Sequence, residues 1–301
     1  MYCILTVTSI PPPAALHRAL SGARLALFKT FFKSSSDSET WGAYQWHEAV
    51  RASLLPIVGF LEVSLRNVTH QAISQMTEKV NSTNWYDSTN TKGLYLRGGA
   101  RRQADELLAR TDQDSGQPLV TSPDEFVANA SFGFWVEALL QVEKGRTYRL
   151  AKAMFPGYPP VADAPNWGTS LAWDNLVKKR LRKLKKFRDA VAHFYPLVTW
   201  QYEQGGKWFV PSSPGAAMIS MRQEVSRALL TLQEIDPTLT SMWLGTFAQA
   251  QFMQLTTSRA LMAFQGGLPL PTLSFGGDAR FRFLSDLWTT PQLKNLKAFT
   301  K

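Results

Sequence analysis

One cysteine, Cys3, stands in 301 residues, which leaves no material for a disulfide framework or a multi-cysteine zinc site. Long apolar runs are missing too: none reaches the roughly 18 residues that a membrane span needs. The opening stretch, Met1 to Ile10, lacks a basic segment and is dotted with Thr and Ser, so no signal peptide is read there. A cytoplasmic chain without a membrane anchor is expected. Acidic residues are the scarcer charge, 23 Asp plus Glu against 33 Lys plus Arg, a net charge of +10. Such a surface favours polyanions: nucleic acid, anionic lipid or acidic protein.

The common chemical motifs are also missing. There is no GxxxxGK[ST] phosphate loop, no GxGxxG and no GxSxG nucleophile elbow. His47-Glu48 opens an HExxH-like string, but Arg51 stands where the second His should be. Asp112, Asp114 and Gly116 have the composition of a calcium loop without its spacing or closing Glu, and read as a solvated loop. No cofactor and no metal are predicted. The glycosylation-type triplets at Asn67, Asn81 and Asn129 mean nothing in a cytosolic chain.

What is present is apolar material, 45% of the residues, enough for one large domain or two small ones. The pattern is mostly helical. Leu16, Leu20, Leu27 and Phe31 recur at helical spacings after the prolines Pro11 to Pro13. Glu39 to Ser53 reads as helix, with an interruption at Pro56. An amphipathic helix from Ile57 to Val80 follows, with the stripe Leu61, Leu65, Val68, Ala72 and Met76. Shorter helices are predicted over Ala100 to Arg110 and within Asp124 to Lys144. A second long helix runs from Ser170 to Tyr195, its buried face marked by Leu171, Leu176, Leu181, Leu184, Phe187 and Val191, and Pro196 stops it. Gly205-Gly206 between Val198 to Tyr202 and Lys207 to Val210 predicts a small hairpin. Helices resume over Ala217 to Glu234 and Pro237 to Ser258. Gly266 to Gly277 reads as a linker before a basic, aromatic tail.

The densest feature is the run Lys178 to Arg188, eight cations in eleven residues broken by Leu181, Leu184 and Phe187. On a helix this makes one apolar seam and a broad cationic face whose like charges repel at i and i+4. A bound polyanion would relieve that repulsion. A solvated face, a membrane-surface helix or a calmodulin-type target are the other readings of such a run. It leads into Arg188-Asp189-Ala190-Val191-Ala192-His193. An imidazole can move the proton of a 2′-hydroxyl or of the leaving 5′-oxygen, and a guanidinium can stabilise the phosphoryl oxygens, with no metal. Asp189, one turn before His193, would orient the imidazole. Residues 188 and 193 lie about 140° apart around an ideal helix and about 7.5 Å along it. They do not naturally face each other, which makes a symmetric dimer attractive. An Arg followed by a His with four to six residues between them arises about 0.7 times by chance in such a chain, so the pair alone decides nothing.

The surroundings add to it. Tyr44-Gln45-Trp46-His47-Glu48-Ala49-Val50-Arg51, Leu61-Glu62-Val63-Ser64-Leu65-Arg66-Asn67, Phe132-Gly133-Phe134-Trp135-Val136 and Arg188 to His193 with Pro196 occur in this order. Over roughly residues 40 to 245 the chain resembles the Abi-like (abortive-infection) proteins of bacteria, within the HEPN superfamily of helical ribonucleases. The resemblance implies an all-α helical bundle, with the small hairpin added, divided as a leader and helix over 1–38, an Abi-like domain over 39–248 and a C-terminal extension over 249–301. It implies a homodimeric, metal-independent endoribonuclease of a phage-defence or toxin system, with a cognate antitoxin or a regulatory RNA as a further partner. Arg188, His193 and Asp189 are the catalytic candidates. Phe194 and Tyr195 replace the family's usual His-Glu before the proline. Lys178, Lys179, Arg182, Lys183 and Lys186 would hold the RNA backbone. Glu62, Arg66 and His70 form one polar stripe, either beside the phosphate or as an intrahelical ladder, and Asn67 is equally open. Phe132, Phe134 and Trp135 are expected in the core. Trp200, Tyr202 and Trp208 would stack bases or, preferably, pack the hairpin onto the bundle. The rival functions are a non-catalytic RNA-binding or regulatory module and a peripheral membrane protein.

Overall fold

The computed structural model describes residues 18, 20–76, 83–87, 96–142, 144–159 and 171–268. Pro11 to Pro13, Cys3, the end of the predicted long helix after Met76 and the tail after Leu268 lie outside them. The described fold is all-α apart from one hairpin.

Several helices start where the chain offers a side-chain cap. Ser21 opens α1 (Gly22–Phe32), and the Ser36 hydroxyl accepts from Glu39 N–H at the head of α2 (Asp37–Met76). After α3 (Gly98–Leu108), Ser122 and Glu125 form a reciprocal capping box ahead of α4 (Pro123–Asn129), with proline in its first turn. Ser131 caps α5 (Phe132–Leu140), and α6 (Thr147–Met154) follows. A single α turn, α7 (Leu171–Trp173), then widens into a π segment, π1 (Asp174–Leu181), and returns to α geometry in α8 (Arg182–Ala192). Past the hairpin come α9 (Pro214–Ile235), α10 (Pro237–Trp243), α11 (Phe247–Leu255) and α12 (Ser258–Gln265); Thr246 and Thr257 cap the last two.

Two expectations change here. Pro56 does not interrupt the chain: α2 runs through it for 40 residues. Pro56 and Ala52 both sit on the exposed side, where the carbonyl that proline leaves without a partner meets solvent. The predicted helix from Pro237 to Ser258 is in fact two, parted at Gly245, whose φ of 86° suits glycine.

The chain forms two compact units, and they do not follow the predicted division at 38/39 and 248/249. The first comprises residues 1–57, 190–226 and 241–301, and the second 58–189 and 227–240. In the first, α1 packs through Phe28 on Tyr44 and His47, with ring centroids 5.3 and 5.1 Å apart, and Phe32 packs on Trp46. The predicted extension is part of this core. Trp46 Nε1 donates to the Leu255 carbonyl (2.7 Å), Arg222 reaches Thr256, and Phe252, Leu255 and Leu261 are buried. The hairpin, β1 (Tyr202–Gln204) and β2 (Lys207–Phe209), turns on Gly205-Gly206, both at positive φ, as a two-residue turn requires. Gln223 of α9 holds the Glu203 backbone at both its N–H and carbonyl. β2 is exposed along its length, so only β1 follows the expectation that the hairpin packs onto the helices.

The second unit is built on an aromatic cluster. Phe132, Phe134 and Trp135 are buried, and Trp85 and Phe126 pack against Phe134 at 6.1 and 5.2 Å. The α2 stripe is buried at Leu61, Leu65, Thr69, Ala72 and Ile73, while Val68 and Met76 are only half-buried. Leu181, Leu184 and Phe187 form the predicted seam and are buried. Arg180 leaves π1 to pair with Glu234 of α9 and lies 5.3 Å from the ring centre of Tyr158. Burial outweighs the attraction of Arg180 and pushes the Glu234 carboxyl up to about 7.

Candidate active site

The chain passes from the second unit into the first between Asp189 and Ala190, within α8, so Arg188 and Asp189 belong to one unit and His193 to the other. In the first unit α8 ends in a Schellman-type turn. Tyr195 N–H donates back to the Ala190 carbonyl (3.0 Å), and Phe194 takes the left-handed position with φ 62°. His193 is the cap residue, exposed, with the ring of Tyr195 as its neighbour at 6.3 Å and no hydrogen-bond partner among the described residues.

This turn is braced from α1 and α2. Arg51 donates to the Val191 carbonyl (3.3 Å), and its guanidinium lies 3.6 Å from the ring centre of Phe194. Arg24 donates to the Phe194 carbonyl. His47 Nε2 accepts the Leu197 N–H at 2.9 Å, so the neutral ring carries its proton on Nδ1, which faces Glu48 Oε1 at 3.0 Å. Burial pushes His47 below the ordinary imidazole value, against the pull of Glu48. Burial works the other way on Glu48, but hydrogen bonds from His47 and Arg51 outweigh it and hold the carboxyl below its usual range. In the sequence, His47-Glu48-x-x-Arg51 lacks the second His of a zinc motif and falls within the first block of the resemblance. Its available signal was three polar residues on a helix whose neighbours Tyr44, Trp46, Val50 and Leu54 are apolar.

In the second unit the structure brings Arg188, Asp189 and Glu62 together. Arg188 Nε and one terminal nitrogen donate to the two Glu62 oxygens at 2.7 and 3.1 Å, a forked pair. The other terminal nitrogen donates to Asp189 at 3.3 Å, and Lys185 holds the second Asp189 oxygen at 2.8 Å. Within this unit the Asp189 carboxylate serves both Lys185 and Arg188. The polar stripe is not an internal ladder either. Glu62 takes Arg188, Arg66 donates to the Ala128 carbonyl (3.0 Å), and His70 Nδ1 accepts from Trp85 Nε1 (3.2 Å). Burial lowers His70 as well. Asn67 is exposed.

On the basic face, acids offset part of the expected repulsion. Lys178 pairs with Asp174 (2.9 Å) and Arg182 with Glu137 (3.7 Å). Lys183 is half-buried. Lys179 and Lys186 are exposed and have no ion-pair partner among the described residues. Gly133 leaves room for the Lys185 stem: a Cβ there would stand 3.0 Å from Lys185 Cε. Among the described residues no three His, Cys, Asp or Glu side chains gather as a metal-binding group, and no helix is long and apolar enough to cross a membrane. Compared with known proteins, the chain matches no family model, no curated protein and no solved structure.

Proposed function

We propose that this chain is an Abi-like, HEPN-type endoribonuclease of a bacterial phage-defence or toxin system, cytoplasmic and homodimeric, cutting RNA without a metal. The observation that carries the reading is His193: an exposed imidazole with both nitrogens available, on a turn held by Arg51, Arg24 and His47. The other described histidines, His47 and His70, are committed to hydrogen bonds. The RNA 2′-oxygen attacks the adjacent phosphorus and the bond to the 5′-oxygen breaks. One imidazole takes the 2′ proton and a second, from the other copy, gives a proton to the leaving oxygen. The products are a 2′,3′-cyclic phosphate and a 5′-hydroxyl, and no water is consumed. Arg188 would trade a carboxylate partner for the phosphoryl oxygens as their charge grows. Exposed cations of the Lys178 to Lys186 face would track the backbone.

Purified protein is expected to cut RNA in EDTA and leave cyclic phosphate ends. His193→Ala is expected to abolish cutting while circular dichroism and thermal midpoint stay unchanged, because surface changes of this kind shift stability by about 0.5 kcal/mol or less. Full activity in that variant removes the assignment. A second reading, a non-catalytic RNA-binding or regulatory module, is favoured by one observation: the Arg188 nitrogens already serve Glu62 and Asp189. It predicts salt-sensitive RNA binding with no cleavage.

A further inference from the structure

Directly after His193 the chain displays two large aromatic side chains, Phe194 at 51% and Tyr195 at 59% exposure. Local stability does not ask for them. Glycine or asparagine suits the left-handed position, and the residue after it ordinarily packs back onto the helix it closes. Here that helix position is Ala190, and Tyr195 stands away in solvent. Phe194 has one face taken by the Arg51 guanidinium. Tyr195 has only the tilted ring of His193 beside it, and its hydroxyl has no partner among the described residues. Its backbone is nevertheless held, by the bond to Ala190 behind and by Pro196 ahead, which biases it to an extended conformation. A rigid, exposed π face beside a reactive imidazole is a preorganised surface.

We infer that Tyr195 is a base-stacking residue that restricts the site to unpaired RNA, an inference that rests on the ribonucleic reading of His193. A base within a duplex already has both faces covered by its neighbours; only one splayed from a loop, bulge or single strand can lie on an aromatic ring. A base on Tyr195 places its own ribose and phosphate within reach of His193. The basic surface supplies attraction without sequence preference, and the tyrosine selects for strandedness.

The test measures binding by fluorescence anisotropy in a His193→Ala background, so that the RNA stays intact. The probes are a labelled 12-nucleotide single strand of mixed sequence and its blunt duplex. Tyr195→Ala is expected to weaken binding of the single strand about 5- to 100-fold, the range of one lost base stack. Tyr195→Phe should retain it within about threefold, and duplex affinity should move less than about twofold in both. No loss on the single strand, an equal loss on the duplex, or a phenylalanine as damaging as alanine overturns the stacking role. Cleavage by the unsubstituted protein is scored separately. RNA cutting together with unchanged binding by Tyr195→Ala defeats Tyr195 alone. No cutting together with a Tyr195-dependent preference for single strands defeats the nuclease and supports stacking.

Discussion

A non-glycine residue in left-handed backbone conformation costs about 1–2 kcal/mol, and Phe194 accepts that cost at the turn behind His193. The stacked Arg51 guanidinium returns about 0.5–2 kcal/mol, more as it is desolvated. The turn thus holds its shape through a contact to residue 51, far away in sequence. Glu234 shows a second tension. Its carboxyl rises from the ordinary 4.5 to about 7. Below pH 4.5 it is protonated folded and unfolded alike. Between about pH 4.5 and 7 the unfolded chain releases the proton while the folded one keeps it, so stability falls as pH rises through this window. Urea midpoints between pH 4.5 and 8 should show that decline, of order 2–3 kcal/mol from this group, and Glu234→Gln should flatten it. Unchanged slopes would show that Arg180 keeps the carboxylate charged throughout. Neither feature was legible in the sequence, since each depends on a partner brought close by folding: Arg51 stacks on a ring at position 194, and Arg180 and Glu234 are 54 positions apart.

Elements were more legible than pairings, because a buried face is written as a hydrophobic period. Leu181, Leu184 and Phe187 mark the seam along π1 and α8, and two adjacent glycines mark the hairpin. The π widening of π1 was not visible, since hydrogen-bond register along a helix leaves no compositional mark. Pro56 misled because its effect depends on which side of the helix it occupies. The terminal helices α11 and α12, which the sequence places in an extension, close the first core. Gly42 shows how tightly, for a Cβ there would run into the Phe264 carbonyl and come within 2.7 Å of Gln265 Cα. Gly42→Ala should therefore destabilise by about 1–3 kcal/mol or more despite alanine's better helix propensity, read from denaturant unfolding. A neutral or stabilising result would mean that α12 can shift away at little cost.

For the whole molecule the net charge of +10 matters most through how much of it is uncommitted. Lys178, Arg180, Arg182, Lys185 and Arg188 all have carboxylate partners, whereas Lys179 and Lys186 do not among the described residues. If both touch RNA phosphates, the double variant Lys179→Ala/Lys186→Ala should bind single-stranded RNA more weakly and reduce the slope of log affinity against log salt by about 1.4. An unaltered slope would take this face out of contact with the nucleic acid. The interleaving of the two units has a temporal side as well. The indole of Trp46 meets its acceptor on Leu255 only 209 positions later. At elongation rates of about 5–20 residues per second that is roughly 10–40 s on the ribosome. Through that interval the apolar face of α1 and early α2 lacks the helices that cover it in the finished fold. The turn that carries His193 is also translated well before the last helices of its own unit, so that unit leaves the ribosome's tunnel in pieces that close only at the end.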